Sequence, residues 1–387
     1  MVPISYTLRS LFVRRSATLL TVFGIGATVA VVAGVLALQQ GFQTLFSESG
    51  REDVAVFLRV GANAEGESTI PREQAQIIIK GTPEISIDEQ GRPMAALEAF
   101  MAVLLERTAG GDTNVPVRGV QPMSYAIHGD GVRLVEGEWP EPGSNEIAVG
   151  SKLVGRVDNC RIGDVIQINL TPLTVVGVFE SDGPYDSEIW GDTEVILEAL
   201  ERPEGSRVVA RVEPGTDFEA LAARVDEDPQ LTNKVLSERE YLSNQTQALT
   251  GILLALGSFL GLVMGAAAVF TATNTMLSAV AARTHEIGIL LSIGYRPFPI
   301  FLSFIAEALV LGLLGGLTGC LLVLPVNGME TGTTNFNTFT EVAFAFRVTP
   351  FVLVTAVSFS LVLGLLGGAW PAWRAASMRP TEALRRR

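Results

Sequence analysis

The chain has 387 residues, of which 48% are hydrophobic and 18% are charged, and its mean hydropathy is +0.36. Soluble domains average about 25% charged residues, so this composition argues against a wholly soluble protein. The formal net charge at pH 7 is −13. The apolar residues of the chain are concentrated in a few long runs.

Four apolar runs are long enough to cross a bilayer, which takes about 20 residues of helix. They predict transmembrane helices at residues 16–40, 248–280, 298–326 and 350–373. The fold class is therefore an integral membrane α-helical protein with four transmembrane helices. A mixed α/β domain, residues 41–247, is inserted between helices 1 and 2. The first run is long for a signal peptide and lacks a good cleavage site, which favours an uncleaved anchor.

Arginines are concentrated at one set of membrane ends, which sets the predicted orientation. The positive-inside rule places such ends in the cytoplasm. Residues 1–15, 281–297 and 374–387 are thus predicted to be cytoplasmic, and the domain and the 327–349 loop to lie outside. The arginines are Arg9, Arg14, Arg15, Arg283, Arg296, Arg374, Arg379, Arg385, Arg386 and Arg387.

The large polar domain carries 36 acidic and 17 basic residues between positions 41 and 247. That excess of negative charge keeps the domain solvated and argues against nucleic acid as a partner. Strand–helix–strand patterns occur at both ends, at residues 54–105 and 207–236, the second helix opening with a capping box at Thr216. We predict that these two ends pair as one subdomain and that a β-rich segment between them forms a second.

Within the β-rich segment, Ile166, Ile168 and Leu170 alternate with polar residues as in a strand, and Thr171-Pro172-Leu173 is the predicted turn. His128 and His285 are interpreted as surface histidines. No catalytic or metal-binding motif occurs, and acidic pairs are expected by chance in so acidic a domain. The sequence therefore predicts a non-enzymatic protein without a bound metal.

A phosphate-binding P-loop needs a lysine directly after a glycine. The lysines of this chain, Lys80, Lys152 and Lys234, do not follow glycines. No cofactor is therefore expected on this chain, and any ATP and Mg²⁺ would be bound by a partner.

Two features of the membrane part have predicted structural roles. Glu307 is an ionisable residue well inside a membrane run, where a charge is costly, so we expect it to bond to a neighbouring helix. Small residues allow helices to approach closely, within or between subunits. The glycines concerned are Gly257, Gly261, Gly265, Gly312, Gly315, Gly316, Gly319, Gly364, Gly367 and Gly368.

The 281–297 segment, with a polar start, an apolar body and a glycine end, predicts a short helix suited to docking on a partner. Its residues Arg283 to Gly288 and Ile293-Gly294 resemble the coupling motif E-R-T-x-E-I-G-x-x-x-A-L-G of MacB/FtsX/LolC-type ABC transporter permeases. The third helix resembles that family's E-x-x-x-L-x-x-x-G-G pattern through Glu307, Gly315, Gly316 and Gly319. The C-terminal tail is similar to the family's ending through Pro371, Arg374, Pro380, Glu382 and Leu384.

The resemblance implies a dimeric permease, with a second copy or a paralogue, and a separate ABC ATPase of the MacB/LolD type. It implies mechanotransmission in a bacterial inner membrane, possible adaptor partners outside it, and a MacB-like periplasmic domain. The implied ATPase contacts are Arg283, Thr284, His285, Glu286, Ile287, Gly288, Leu291 and Gly294.

Two functions from different classes remain open. One is export or extraction of a lipid, lipoprotein, peptide or drug. The other is an FtsX-like regulator that activates a cell-wall hydrolase and transports nothing. A domain of about 200 residues favours the first, because the domains of FtsX-type regulators are usually smaller.

Overall fold

The computed structural model describes residues 15–379 apart from residues 49, 182, 335–337 and 339. These residues form two compact units. The membrane unit comprises the chain up to residue 41, residues 251–329 and the chain from 345 onward. The large domain comprises residues 42–250 together with residues 330–344, which come from the loop between the third and fourth membrane helices.

The helices are α1 (Arg15–Gln43), α2 (Arg72–Gly81), α3 (Pro122–His128), α4 (Thr193–Ala199), α5 (Phe218–Glu227), α6 (Glu238–Ala282), α7 (Thr284–Ser292), α8 (Pro297–Val323) and α9 (Pro350–Ala376). The strands are β1 (Val54–Arg59), β2 (Ala95–Glu106), β3 (Asp112–Val120), β4 (Val132–Gly137), β5 (Glu146–Gly150), β6 (Val165–Ile168), β7 (Thr171–Ser181), β8 (Ile189–Asp192), β9 (Arg207–Arg211), β10 (Asn233–Ser237), β11 (Glu330–Thr334) and β12 (Glu341–Ala345).

Within the described residues, four helices are long and apolar enough to cross a membrane: α1, α6, α8 and α9. This confirms the predicted four-helix membrane class with an α/β domain between the first two. Helix α6 begins at Glu238, earlier than the apolar run that starts at Ala248. Hydropathy locates the apolar part of a helix, whereas the helix itself begins where β10 ends.

Glycines bring α8 into close contact with two neighbours in the membrane unit. A Cβ on Gly315 would lie 2.6 Å from Cγ2 of Ile25 in α1, and one on Gly319 would lie 2.7 Å from Cβ of Val29. On another side of α8, a Cβ on Gly312 would lie 2.8 Å from the Ser360 carbonyl oxygen in α9. Two glycine faces therefore let one helix pack against α1 and α9 at backbone distance.

Three glycines of α6 contact helices of the same chain: Gly257, Gly261 and Gly265. Gly257 faces Val35 of α1, and Gly265 faces Leu363 and Phe359 of α9. Together they line an apolar groove of about 570 Å³ between α1, α6 and α9.

The large domain is built on one sheet, with strand order β10-β1-β9-β2-β3-β8-β5-β7-β4 and with β6 paired to β7. Strands β1, β9 and β10 pair antiparallel, as the two strand–helix–strand ends predicted, and Phe57 pairs with both Val235 and Val208. Helices α2 and α5 bury Ile78 and Leu221 in the same core. We call this part the α/β subdomain.

A second core belongs to the β-rich subdomain, which is formed by β3–β8 and α4. It includes Val117, Ile147, Leu173, Ile189 and Ile196. Strand β2 joins the two subdomains because its first residues, 95–98, pair with β9 and its later residues, 99–106, pair with β3.

Two local predictions were wrong by one or two residues. The chain turns at Asn169 and Leu170, before the predicted Thr171-Pro172-Leu173, because Asn169 adopts a left-handed conformation (φ 50°). Helix α5 is capped by Asp217, whose carboxylate accepts from the backbone N–H groups of Glu219 and Ala220, so Thr216 is not the cap.

Candidate functional site

A sharp break separates α6 from the short helix α7. Arg283 leaves helical geometry (φ −109°, ψ 9°), and the Thr284 hydroxyl donates back to the carbonyl of Val280 at 3.1 Å. At the other end, Gly294 has φ 97°, a left-handed conformation that favours glycine. Its N–H donates to Leu291 O at 3.2 Å and thereby closes the helix. The polar start and the glycine end thus fix a separate helix, as the sequence predicted.

One face of α7 is packed into the membrane unit. Ile287 and Gly288 are buried, and Ile287 belongs to a cluster with Val280, Ile300 and Phe304. Leu291 packs at the margin of that cluster. These three predicted contact residues therefore hold α7 in place and do not form an outward surface.

An ion pair joins the start of α7 to α8. Nη1 of Arg283 lies 3.1 Å from Oε2 of Glu307, and both side chains are largely buried. The Arg283 guanidinium also lies 6.0 Å from the centre of the Phe304 ring. Glu307 therefore bonds to a neighbouring element, which is the role expected of a carboxylate inside a membrane run.

The opposite face of α7 is exposed and mixes apolar and acidic groups. It presents His285, Glu286 and Ile289, followed by Ile293, 72% exposed, and Tyr295. Sequence reasoning missed Ile289, Ile293 and Tyr295 as surface residues. Ile289 and Ile293 lie three and seven positions after Glu286, a spacing that places them on the same helix face. That spacing could have identified these two residues from the sequence.

The beginning of the C-terminal tail lies at the same cluster. Ala372 and Ala375 of α9 are fully buried in the cluster that contains Ile287. Pro371 is buried inside α9, and the Arg374 guanidinium lies 5.7 Å from the Trp370 ring centre. The predicted tail residues Pro380, Glu382 and Leu384 lie outside the described residues.

The large domain holds a second feature, an ion cluster buried between its two subdomains. Arg118 of β3 binds Glu188 through two N–H groups, at 2.7 and 2.9 Å, and Glu65 at 2.5 Å. Arg207 of β9 lies 2.7 Å from Glu98 of β2 and 3.0 Å from Glu65. All five side chains are almost completely buried. Such clusters are costly to desolvate and are severely destabilised when one partner is removed.

Two carboxylates of this cluster, Glu65 and Glu98, are kept ionised by the neighbouring arginines. Burial alone would raise the pKa of Glu98, but the positive charges of Arg207 and Arg118 outweigh it and hold that pKa well below its usual range. The pKa of Glu65 is lowered in the same way, against burial, by Arg118 and Arg207. Both carboxylates are therefore buried in their charged form.

His128 was wrongly interpreted as a surface residue. It is 2% exposed, and its two ring nitrogens lie 3.6 Å from carboxylate oxygens of Glu98 and Glu238. Sequence reasoning also missed the ion cluster. One signal was available: Glu98 is a lone charge in the apolar run Ala95 to Phe100.

Among the residues that the structure describes, no group of three or more His, Cys, Asp or Glu side chains is placed to hold a metal ion. The arrangements described above are ion pairs and packing surfaces.

Comparison with known families assigns the two units. Residues 18–228 match the MacB-like periplasmic core domain, and residues 257–380 match the FtsX-like permease C-terminal domain. The chain belongs to the family of MacB/FtsX-like ABC permeases. The two matches together cover most of the large domain, α7, Glu307 and the end of α9.

Individual relatives are more distant. The permease is 26% identical over 403 residues to the macrolide export ATP-binding/permease protein MacB of Agrobacterium fabrum, covering 97% of this chain and 59% of that protein. It is 27% identical over 414 residues to the pyoverdine export ATP-binding/permease protein PvdT of Pseudomonas syringae pv. tomato, covering 97% and 58%. The chain thus spans less than two thirds of the length of these relatives.

Among solved structures, the periplasmic region of MacB from Actinobacillus actinomycetemcomitans matches 50% of this chain and 92% of that one. The sequence identity is 8% and the TM-score 0.36.

Proposed function

We propose that the chain is the permease subunit of an ATP-driven transporter that works by mechanotransmission. A separate ABC ATPase would bind the exposed face of α7, and its movements would be passed to the large domain. In this proposal the chain binds no nucleotide and catalyses no reaction itself. It would sit as a dimer in a bacterial inner membrane with both termini in the cytoplasm, as its arginine distribution favours.

The observation that carries the proposal is the two-sided character of α7. Ile287 and the Arg283–Glu307 ion pair fix one side to the membrane unit, and Ile293 and Glu286 are exposed on the other. A surface helix fixed by burial on one face can transmit a push without yielding. Ile289, Ile293 and Tyr295 are exposed on the same side as Glu286, and this mixture of apolar and acidic groups is suited to docking on a partner.

Helix α6 supports the transmission step. It runs without interruption for 45 residues from Glu238 to Ala282, directly after β10 of the α/β subdomain and directly before Arg283. At 1.5 Å per residue such a helix is about 68 Å long, more than the thickness of a bilayer. In this proposal a movement at α7 would be passed along α6, the helix that connects it in the chain to the sheet.

The substrate class rests on the relatives. Those described above are named for export of macrolides and of pyoverdine. We propose export or extraction of a lipid, lipoprotein, peptide or drug. Fold and family alone do not select among these cargoes, because related scaffolds serve many functions.

The test is co-purification of the tagged full chain from its native membrane, followed by measurement of ATP hydrolysis. We expect a small ABC ATPase to be recovered with the wild-type chain. Ile293→Glu should reduce its recovery at least about tenfold, since a buried interface anchor is worth about 2 kcal/mol. Leu170→Glu is the matched control: Leu170 is 90% exposed, but it lies on the β6–β7 turn, so recovery should not change.

Recovery of no ATPase with the wild-type chain, or equal recovery with Ile293→Glu, would contradict the proposed interface. If the ATPase binds at α7 but inverted vesicles transport none of the proposed cargo classes, the regulator alternative gains support. A cell-wall hydrolase recovered with the large domain would then decide for it.

A further inference from the structure

Residues 330–344 lie between α8 and α9 in the chain, yet they are packed in the large domain. They form the hairpin β11–β12, whose residues Val342, Ala343 and Phe344 are buried. Phe344 meets Phe42 with its ring centre 5.3 Å away, in an edge-to-face arrangement. This hairpin is an integral part of the large domain's core and was predicted only as a loop.

A carboxylate clamp fixes the hairpin to the β-rich subdomain. Oε1 of Glu341 lies 2.5 Å from Nη2 of Arg156, and Oε2 accepts from the Thr113 hydroxyl at 2.5 Å and from Arg107. The Glu341 side chain is 17% exposed, so these contacts are only partly screened by water.

Two further contacts extend the attachment. The backbone N–H of Ala343 donates to Oγ of the buried Ser187 at 3.2 Å, and Glu330 pairs with Lys152. Thr113 lies in β3, and the other four residues lie in the loops beside β2, β5 and β8: Arg107, Lys152, Arg156 and Ser187. Because these residues come from several elements, the hairpin is attached to the β-rich subdomain as a whole and not to one of its strands.

The hairpin also covers the ion cluster. Thr338, Thr340 and Val342 bound a cavity of about 30 Å³ whose other walls include Arg118 and Glu188. Thr340 is almost fully buried. Departure of the hairpin would admit water to the charges between the two subdomains.

The covalent connections of the two subdomains differ. Strand β1 follows α1, and β10 runs directly into α6, so the α/β subdomain is joined to the first two membrane helices. The chain enters the β-rich subdomain from β2 and leaves it into β9, both of which pair within the α/β sheet. The hairpin, which follows α8 and precedes α9, therefore gives the β-rich subdomain an attachment of its own to the other two helices.

We propose that the β11–β12 hairpin is a strap through which α8 and α9 act on the β-rich subdomain, while α1 and α6 act on the α/β subdomain. The inference rests on the proposed mechanical function and deepens it. Movement of one helix pair relative to the other then changes the angle between the subdomains, with the ion cluster and β2 at the hinge.

The first measurement tests the attachment and needs no ATPase. Hydrogen exchange of peptides covering residues 340–346 is followed in the full chain in lipid nanodiscs. Glu341→Arg should accelerate this exchange about tenfold, because the clamp becomes repulsive. Combining it with Arg107→Glu and Arg156→Glu should restore slow exchange. The control Glu84→Arg breaks an ion pair with Arg224 in the α/β subdomain and should leave the hairpin unchanged.

The second measurement tests the strap with the co-purified ATPase present. Spin labels on Leu170→Cys and Glu227→Cys report the distance between the subdomains with and without trapped ATP. The native Cys160 and Cys320 are buried. We expect a nucleotide-dependent shift in the wild-type background and in Glu84→Arg, and loss of that shift in Glu341→Arg.

The outcomes separate the two proposals. If hydrogen exchange of residues 340–346 is unchanged in Glu341→Arg, the proposed attachment of the hairpin is wrong. That conclusion does not depend on the ATPase. Faster exchange with an intact distance shift overturns the strap while the proposed function stands. Absence of a shift in the wild-type background rejects the mechanical function, and the strap falls with it.

Discussion

In the membrane unit, α8 and α9 touch at Gly312 and Gly364, where no side chain separates the two backbones. In the large domain, β2, β3 and β9 meet around Glu98, Arg118 and Arg207, which carry full charges. Both regions bring separate elements of the chain into close contact. Helices in lipid come into close contact where side chains are small or absent. A domain in water instead accommodates buried ions when each charge is paired with an opposite one.

The largest effect is expected when the buried ion cluster of the large domain loses an arginine. Arg207→Met would leave Glu98 and Glu65 buried without one of their cations, so we expect about 3–5 kcal/mol lower stability of the large domain. Thermal unfolding of the full chain in detergent, followed by tryptophan fluorescence, measures the loss, since Trp190 lies beside Glu188. The control Arg224→Met removes an exposed ion pair and should cost under about 1 kcal/mol. Similar losses in both variants would show that burial is not the decisive factor.

The next largest effect is expected when a methyl group is added at a glycine contact in the membrane unit. A Cβ on Gly364 would lie 2.7 Å from the Ala308 carbonyl oxygen and 3.0 Å from Cα of Gly312, and backbone atoms cannot rotate away. Gly364→Ala should therefore destabilise the unit by about 1–3 kcal/mol, measured as a lower melting temperature in detergent. Gly24→Ala, with open space around the new methyl group, is the matched control and should show no loss.

A smaller effect concerns the one ion pair described between α7 and α8. Glu307→Gln keeps the side-chain shape but removes the charge opposite Arg283, so it should weaken the attachment of α7 by about 1 kcal/mol. Hydrogen exchange of residues 284–293 should then rise several-fold. Thr318→Val, also on α8 but about three helical turns beyond Glu307, should leave that exchange unchanged. Exchange that does not respond to Glu307→Gln would assign the attachment of α7 to apolar packing alone.

The smallest effect is a pH dependence at Asp186. Burial raises its pKa from 3.8 to about 6, against a backbone hydrogen bond from Ser181 and the charge of Lys152. The folded domain therefore binds this proton more tightly than the unfolded chain, and its stability falls as the pH rises from 3.8 to about 6. Asp186→Asn should be more stable than the wild-type chain at pH 8, by about 1 kcal/mol, and the difference should shrink at pH 5. An equal difference at both pH values would contradict the assignment.

Predictions from sequence succeeded where the pattern is local and regular. The four membrane helices, the short helix α7 and the union of the two ends of the large domain in one subdomain could all be predicted, because each depends on hydropathy, capping residues or periodicity. Predictions failed at Leu170 and His128, where a left-handed residue and a distant pair of carboxylates decide the outcome. The outward face of α7 was only partly predicted: Glu286 is exposed, but Ile287 and Gly288 face the membrane unit.

By itself the sequence determined the membrane class of this protein, because a bilayer requires long apolar helices and leaves little choice of structure. It determined the position of α7 through a polar start and Gly294, and it excluded a P-loop on this chain. Only the tertiary structure decided which charges are buried together and where the hairpin packs. Glu341 meets Arg107 and Arg156 from positions more than 180 residues away in the chain. Such pairings cannot be predicted from a single sequence. An acidic residue in a loop has the same sequence context whether its side chain is in water or bound to distant arginines.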